Sequence, residues 1–385
     1  MIVVVALNPS KDKLATVPAV KIGRIHRPTD LISLAGGKGL NAARAALSLG
    51  ASVKAIFPSG GFCGNWIEQE LIHQQMSFEA IPIDGESRSC LSVFSESDGS
   101  LTEFYESGPK LTKSEWGKLC LAVEGNCGNV EWVVIAGSTP PGISEADVGA
   151  LVSLAHDMGA KVAVDLRGDS LLSAISHGAE LVKVNMAEAG EAIQSLAGLG
   201  KTGLRGDLSI GALKIGMGNL ERSAVLARLL NLLSAEMQAD RAFGITSPIG
   251  EAGLNRSGFS DSKPQIEPQV HAGCESREWP VSIVTDGDEG ASIALPNGTW
   301  TSAISVSGKY PVGCGDAFMG AFVALLDSES AHIGTDVLLR AFSAGMGASM
   351  ANALEPGAGK FDPYRAQEIA ARTLPRSVWV RTLDD

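Results

Sequence analysis

The sequence predicts an α/β domain with a mostly parallel sheet flanked by helices, and three observations predict it. Short Val- and Ile-rich runs alternate with helical patterns along most of the chain, as strands do when helices carry the chain back between them. Glycine is abundant at 45 residues, which suits many tight strand-to-helix turns. Hydrophobic residues make up 45% and charged ones 19% of 385 residues, enough apolar content for a sizeable core.

Taken in order, strands are expected at 2–7, 53–57, 132–136, 162–166 and 181–184, each followed by a helix, at 39–49, 66–74, 145–156, 170–176 and 188–196. Two segments break the rhythm. Residues 14–34 and 88–106 contain short alternating strands without a helix between them, and Asp98-Gly99 marks a hairpin. They are expected to form a small antiparallel sheet that projects from the body as a lid. Residues 198–277, rich in Gly, Ser, Pro and charge, read as an insertion, partly disordered, with one amphipathic stretch near 223–237. The chain then resumes with strands at 281–285, 291–295 and 300–304, a helix after Gly315, and a last helix at 336–352 closed by Pro356 and Gly357. One domain over residues 1–385 accounts for all of this.

A net charge of -12 argues against nucleic acid or an anionic membrane as the main partner, so an anionic ligand would need a local basic pocket. The cysteines Cys63, Cys90, Cys120, Cys127, Cys274 and Cys314 are scattered, with no CxxC pair and no His at zinc-ligand spacing, which argues against a disulfide or metal framework. The apolar opening is short, lacks a basic lead and ends in Asn8-Pro9, so it reads as a strand rather than a signal peptide, and no apolar run is long enough for a span. A cytoplasmic protein is expected.

Two glycine-rich turns enter helices. Gly313-Cys314-Gly315-Asp316 runs into an apolar helical stretch, placing a carboxylate where free first-turn amides favour an anion. Such a carboxylate suits a base that takes a hydroxyl proton while the amides hold a phosphoryl group; it also suits an ordinary helix cap. Ala35-Gly36-Gly37-Lys38-Gly39-Leu40-Asn41 offers amides and an ammonium, without the spacing of a Walker A loop; a solvated lysine is the plainer reading of Lys38.

Six motifs in order now carry a resemblance. Asn8-Pro9-Ser10-Lys11-Asp12, the Gly36–Asn41 turn, Thr102-Glu103 with Gly108-Pro109, Gly137-Ser138-Thr139-Pro140-Pro141-Gly142, Asn185-Met186-Ala187-Glu188 with Thr285-Asp286-Gly287-Asp288-Glu289-Gly290, and the Gly313–Asp316 turn follow one another as in one known family. The chain resembles the PfkB (ribokinase-like) carbohydrate kinases, and within them the 1-phosphofructokinases and tagatose-6-phosphate kinases.

The resemblance implies a ribokinase-like fold and a kinase that uses ATP with Mg²⁺. Asp316 would be the base, and Gly313, Cys314 and Gly315 the anion hole. Asp12 and Asn41 would bind sugar hydroxyls, with Ser138, Gly36 and Gly37 lining the same pocket. Lys38, Arg27 and Arg88 would grip a phosphate already on the substrate. Asn185 and Glu188 would organise Mg²⁺ through water. Thr285, Gly287 and Gly290 would shape the loop beside the ATP phosphates, and Asn352 would approach the adenine. The implied reaction converts fructose 1-phosphate, fructose 6-phosphate or tagatose 6-phosphate to the 1,6-bisphosphate, in a homodimer joined through the lid. A same-fold kinase of an unphosphorylated sugar or nucleoside, and a catalytically silent sugar-phosphate-binding regulator, are the alternatives.

Departures concentrate on the nucleotide half. Glu188 and Thr285 stand 97 positions apart, with the insertion between them. The turn Asp165-Leu166-Arg167-Gly168 replaces the branch's small polar residues, Asp286 replaces a common apolar residue, and Cys314 stands where Ala is common.

Overall fold

The computed structural model describes residues 1–198, 219–242, 279–329 and 333–378. Along the chain run β1 (Ile2–Ala6), β2 (Ser10–Val17), β3 (Asp30–Gly36), α1 (Lys38–Ser48), β4 (Val53–Ser59), α2 (Gly61–His73), β5 (Ser77–Pro82), β6 (Arg88–Ser95), β7 (Leu101–Tyr105), α3 (Lys113–Asn126), β8 (Trp132–Ala136) and α4 (Glu145–Asp157). There follow β9 (Lys161–Asp165), α5 (Gly168–Ser176), β10 (Leu181–Asn185), α6 (Met186–Gly198), α7 (Asn219–Ala242), β11 (Val281–Asp286), β12 (Gly290–Leu295), β13 (Gly298–Ala303), α8 (Cys314–Ser328), α9 (Thr335–Asn352), α10 (Pro363–Arg372) and β14 (Arg376–Val378).

The larger sheet has ten strands in the order β14-β13-β12-β11-β10-β9-β8-β1-β4-β5. From β11 to β5 every neighbouring pair is parallel, while β12, β13 and β14 add antiparallel hairpin strands at one edge. This is the predicted α/β architecture. The strand period of two splits β1 between two apolar layers. Ile2, Val4 and Ala6 pack with residues of α1, α8 and α9, whereas Val3, Val5 and Leu7 pack with residues of α3, α4 and α5. A strand buried on both faces needs a continuous apolar run, which is what Ile2-Val3-Val4-Val5-Ala6 supplies.

The smaller sheet has the order β3-β2-β6-β7 and leaves the body directly, since only Leu7-Asn8-Pro9 separates β1 from β2. Its strands fall in the two segments expected to project, with β2 and β6 parallel rather than antiparallel. Asp98 and Gly99 lie in the turn between β6 and β7, and Gly99 takes a positive φ of 69°.

Four elements depart from the expected list: β5, α3, α10 and β14. Of the stretch 198–277, the described part is Gly198 at the end of α6 and α7, which extends the amphipathic stretch at 223–237 in both directions. Ala224, Ala227 and Leu230 of α7 are buried, and Asn231 Nδ2 donates to the carbonyls of Pro280 (2.5 Å) and Ala294 (3.2 Å). That helix therefore belongs to the body. The remainder of the expected insertion lies outside the described residues.

Among the described residues no helix is long and apolar enough to cross a membrane. The packing that matters most for the site is that of α1 on α8. A Cβ at Gly320 would sit 2.2 Å from the Ala42 carbonyl oxygen, so glycine lets the two helices approach until their N-termini stand side by side.

Candidate active site

The carboxyl ends of β1, β8, β9 and β10 and the N-termini of α1, α5, α6 and α8 surround a cavity of about 690 Å³, which the smaller sheet roofs. Open α/β sheets take ligands at this end of the strands. Asn8, Asp12, Gly37, Lys38, Asn41, Arg88, Ser138, Arg167, Glu188, Gly313 and Asp316 all line it.

Three helices meet the cavity without a capping side chain, α1, α5 and α8, and the first and last of them begin at a glycine. Gly37 caps α1 at φ 90° and Gly313 caps α8 at φ 79°, and neither cap donates a side chain to the first-turn amides. A positive φ is accessible to glycine at little cost and leaves the first-turn amides without a capping side chain, although at α8 the Cys314 amide donates to the Pro311 carbonyl at 3.3 Å. Asp316 sits in the first turn of α8, 9% exposed, and its Oδ2 accepts from Asn41 Nδ2 at 2.8 Å. Asn41 is in turn held by Arg44, whose guanidinium donates to Asn41 Oδ1 at 3.1 Å and also binds the carbonyls of Ala35 and Ala358. Burial first, then the Asp165 charge, push the Asp316 carboxyl up to about 6, against the opposing pull of Lys183. A base with that value is ionised at neutral pH and strong enough to share a hydroxyl proton.

Beneath the cavity lies a chain of alternating charges. Lys38 Nζ bonds Asp165 Oδ1 at 2.7 Å and Glu188 Oε1 at 3.0 Å, and Lys183 Nζ bonds Asp165 Oδ2 at 2.7 Å. Burial raises the Asp165 carboxyl, but Lys183 and Lys38 outweigh it and the net shift is down. For Lys38 burial pulls downward, and Asp165 and Glu188 reverse it. Lys183 lies under the α8 turn, for a Cβ on Gly315 would come within 2.6 Å of its Nζ. Sequence reasoning missed Lys183; a lysine inside the buried run Leu181-Val182-Lys183-Val184 is the signal that could have found it.

On the acceptor side, Asp12 accepts from Ser10 Oγ (2.5 Å) and the Gly37 amide (3.1 Å), and burial raises its carboxyl. Ser138 accepts from Asn8 Nδ2 at 2.9 Å, and Arg88 donates twice to the Asn8 carbonyl, at 2.9 and 3.2 Å. Gly36 stands behind Asp12, outside the lining. Cys314 is half-buried and holds its thiol against the Tyr310 carbonyl at 3.6 Å, with burial pushing it up to about 11, which leaves little thiolate for redox chemistry.

Several expected residues are elsewhere. Arg27 is exposed on the connection between β2 and β3 and does not line the cavity, because that connection runs out into solvent. Asn352, expected near the adenine, is fully buried: its Nδ2 donates to the Val312 carbonyl (2.9 Å) and its Oδ1 accepts from the Gly359 amide (2.7 Å). It braces the turn before α8 instead. Thr285 donates to the Val184 carbonyl at 3.3 Å, and with Gly287 and Gly290 it shapes the β11–β12 turn without lining the cavity. Lys38 does line it, yet its ammonium is held by two carboxylates rather than left for a substrate phosphate.

Asn185 and Glu188 form a reciprocal capping box on α6, with Glu188 N to Asn185 Oδ1 at 2.8 Å and Asn185 N to Glu188 Oε2 at 3.0 Å. Asn185 is exposed and outside the lining, while Glu188 lines the cavity. Among the described residues no group of three or more Asp, Glu, His or Cys could hold a metal by itself. Glu188 is a cavity-lining carboxylate beside this box, and its two oxygens are engaged by the Asn185 amide and by Lys38 Nζ.

Residues 12–198 match the model of the pfkB family carbohydrate kinase. The chain is also similar in structure to phosphofructokinase-2 from Escherichia coli in complex with fructose-6-phosphate, at 22% identity and a TM-score of 0.70 over 97% of this chain and 98% of that one. A possible 1-phosphofructokinase from Thermotoga maritima matches at 19% identity and 0.71, covering 98% and 100% of the two chains. Ribokinase from Giardia lamblia matches at 16% identity and 0.61, covering 96% and 98%.

Proposed function

Because the chain carries a PfkB family carbohydrate kinase domain, and so is a phosphotransferase with an alcohol group as acceptor, we propose that it moves the terminal phosphoryl group of ATP to a hydroxyl of a ketohexose monophosphate, giving the 1,6-bisphosphate. The observation that carries this reading is Asp316, cavity-facing at the N-terminus of α8 where no side chain caps the first turn.

The acceptor hydroxyl gives its proton to Asp316 while its oxygen forms the new bond to phosphorus and the bond to the ADP oxygen breaks. Asn41 holds Oδ2 of the base, which leaves Oδ1 to receive the proton. Gly313, Cys314 and Gly315 supply first-turn amides to the phosphoryl group in transit, and Lys183 and Lys38 balance its charge from below. Asp12, Asn41 and Ser138 bind sugar hydroxyls, and Arg88 receives the phosphate the sugar already carries. Mg²⁺, when bound beside Glu188, would neutralise the donor phosphates. Closure of the small sheet over the cavity excludes water as a competing acceptor.

The lid is also the surface on which two copies would meet. Ile22, Ile25, Leu31 and Phe104 all belong to that sheet or its loops and are 57% exposed or more, which favours a homodimer through it.

One coupled assay with ATP and fructose 6-phosphate, fructose 1-phosphate, tagatose 6-phosphate, ribose and adenosine tests the reading. One of the three ketohexose phosphates should be turned over best; turnover confined to ribose or adenosine would replace the proposed substrate class, and binding without turnover would point to a regulator.

A further inference from the structure

Three cations line the cavity: Lys38, Arg88 and Arg167. Lys38 is bound to two carboxylates, and Arg88 to the Asn8 carbonyl. Arg167 differs. Among the described residues it has no hydrogen bond or ion pair, although Asp12, Glu103, Glu106, Glu188 and Asp316 share the same cavity.

Arg167 is exposed, and its backbone position is set by the fold. Arg167 follows Asp165-Leu166 at the end of β9 and is the N-cap of α5, with extended backbone (φ -142°, ψ 163°) and no capping side chain. Thr139 and Ser170 join their hydroxyls at 2.6 Å, which pins the turn after β8 to the first turn of α5. An anionic ligand entering a cavity with five carboxylates in its wall meets repulsion unless a cation remains unneutralised, and the planar fork of arginine matches paired phosphate oxygens.

Building on the kinase reading above, we propose that Arg167 is a specificity-determining contact for a phosphoryl group bound in this cavity, carried either by the acceptor sugar or by the donor nucleotide. Because Arg167 stands between the acceptor-side turn of β8 and the nucleotide-side turn of β10, both sources are within the same chemistry, and measurement separates them.

The test is calorimetric binding of fructose 6-phosphate, ATP with Mg²⁺, and inorganic phosphate to the wild type, Arg167→Ala and Arg167→Lys, each first checked for an unchanged melting temperature. Arg167→Ala should weaken at least one of these ligands about tenfold, with partial recovery in Arg167→Lys and a smaller difference at high salt. A loss confined to fructose 6-phosphate assigns the contact to the acceptor, and one confined to ATP assigns it to the donor. Equal affinities for all three ligands, or a wild type that binds none of them, overturn the proposal. A wild type that binds them but phosphorylates no sugar removes the kinase reading and leaves the arginine contact to be judged from binding alone.

Discussion

The N-termini of α3 and α4 differ from those of α1 and α8 in one respect that separates scaffold from site. Thr112 and Glu115 close the first turn of α3 reciprocally, and Ser144 and Asp147 do the same for α4. At α1 and α8 a glycine with positive φ stands where a capping side chain would be, and no side chain closes the first turn. Glycine at an N-cap costs only a few tenths of a kcal/mol against a good cap, so the open ends of α1 and α8 cost the fold little, and what sets them apart from the equally uncapped α9 is that they face the cavity. The start of α6 combines both: Glu188 caps with one carboxylate oxygen and holds Lys38 with the other.

The contrast can be broken, beginning at Asp316. Asp316→Asn should lower kcat by at least about 10³-fold, and near-normal turnover would mean that the open end of α8 holds no base. The same variant should melt no lower than the wild type at pH 7. The folded carboxyl titrates near 6 against 3.8 unfolded, so its ionisation lowers stability as pH rises through that window, and replacing it removes a cost of up to about 3 kcal/mol. Next in size is Gly313→Ala, where the new Cβ would meet Ala358 Cβ at 2.4 Å in a left-handed conformation. It should reduce kcat about 10²-fold by displacing the amides, and an unchanged kcat would dissociate them from catalysis. For the wild type, a pH profile of kcat/KM should fall about tenfold per unit below pH 6, where Asp316 takes up its proton; a flat acid limb would assign the base elsewhere. The smallest kinetic effect belongs to Thr112→Ala, which should cost about 1 kcal/mol in thermal unfolding and leave kcat and KM alone. A kinetic defect there would erase the distinction between capped and open ends.

The central strands are legible in the sequence because burial on both faces demands uninterrupted apolar runs, as in Trp132-Val133-Val134-Ile135-Ala136. Helix α3 is harder to read: Gly117 and Gly125 interrupt its pattern, although Thr112 and Glu115 spell out a capping box. Helix α10 hides behind Pro356 and Gly357, which look like a chain ending its last helix, while Asp362 and Pro363 carry a second start signal. The site divides along similar lines. Asp316, Gly313, Lys38 and Asn41 lie in motifs whose glycines announce a backbone meant to face something, and Asp12 follows an Asn-Pro pair that turns the chain out of β1. Asn352 and Lys183 are decided by partners beyond their own elements, the one by Val312 forty residues before it and Gly359 seven after, the other by Asp165 eighteen before, and no local pattern encodes those contacts.

Strand β3 ends at Gly36 and α1 begins at Lys38, so a single residue, Gly37, joins the small sheet to one open helix end, and Asp12 of β2 grips its amide. Any tilt of the roof is thus transmitted through that swivel to the floor. The small sheet and the open end of α1 share one residue and one hydrogen bond.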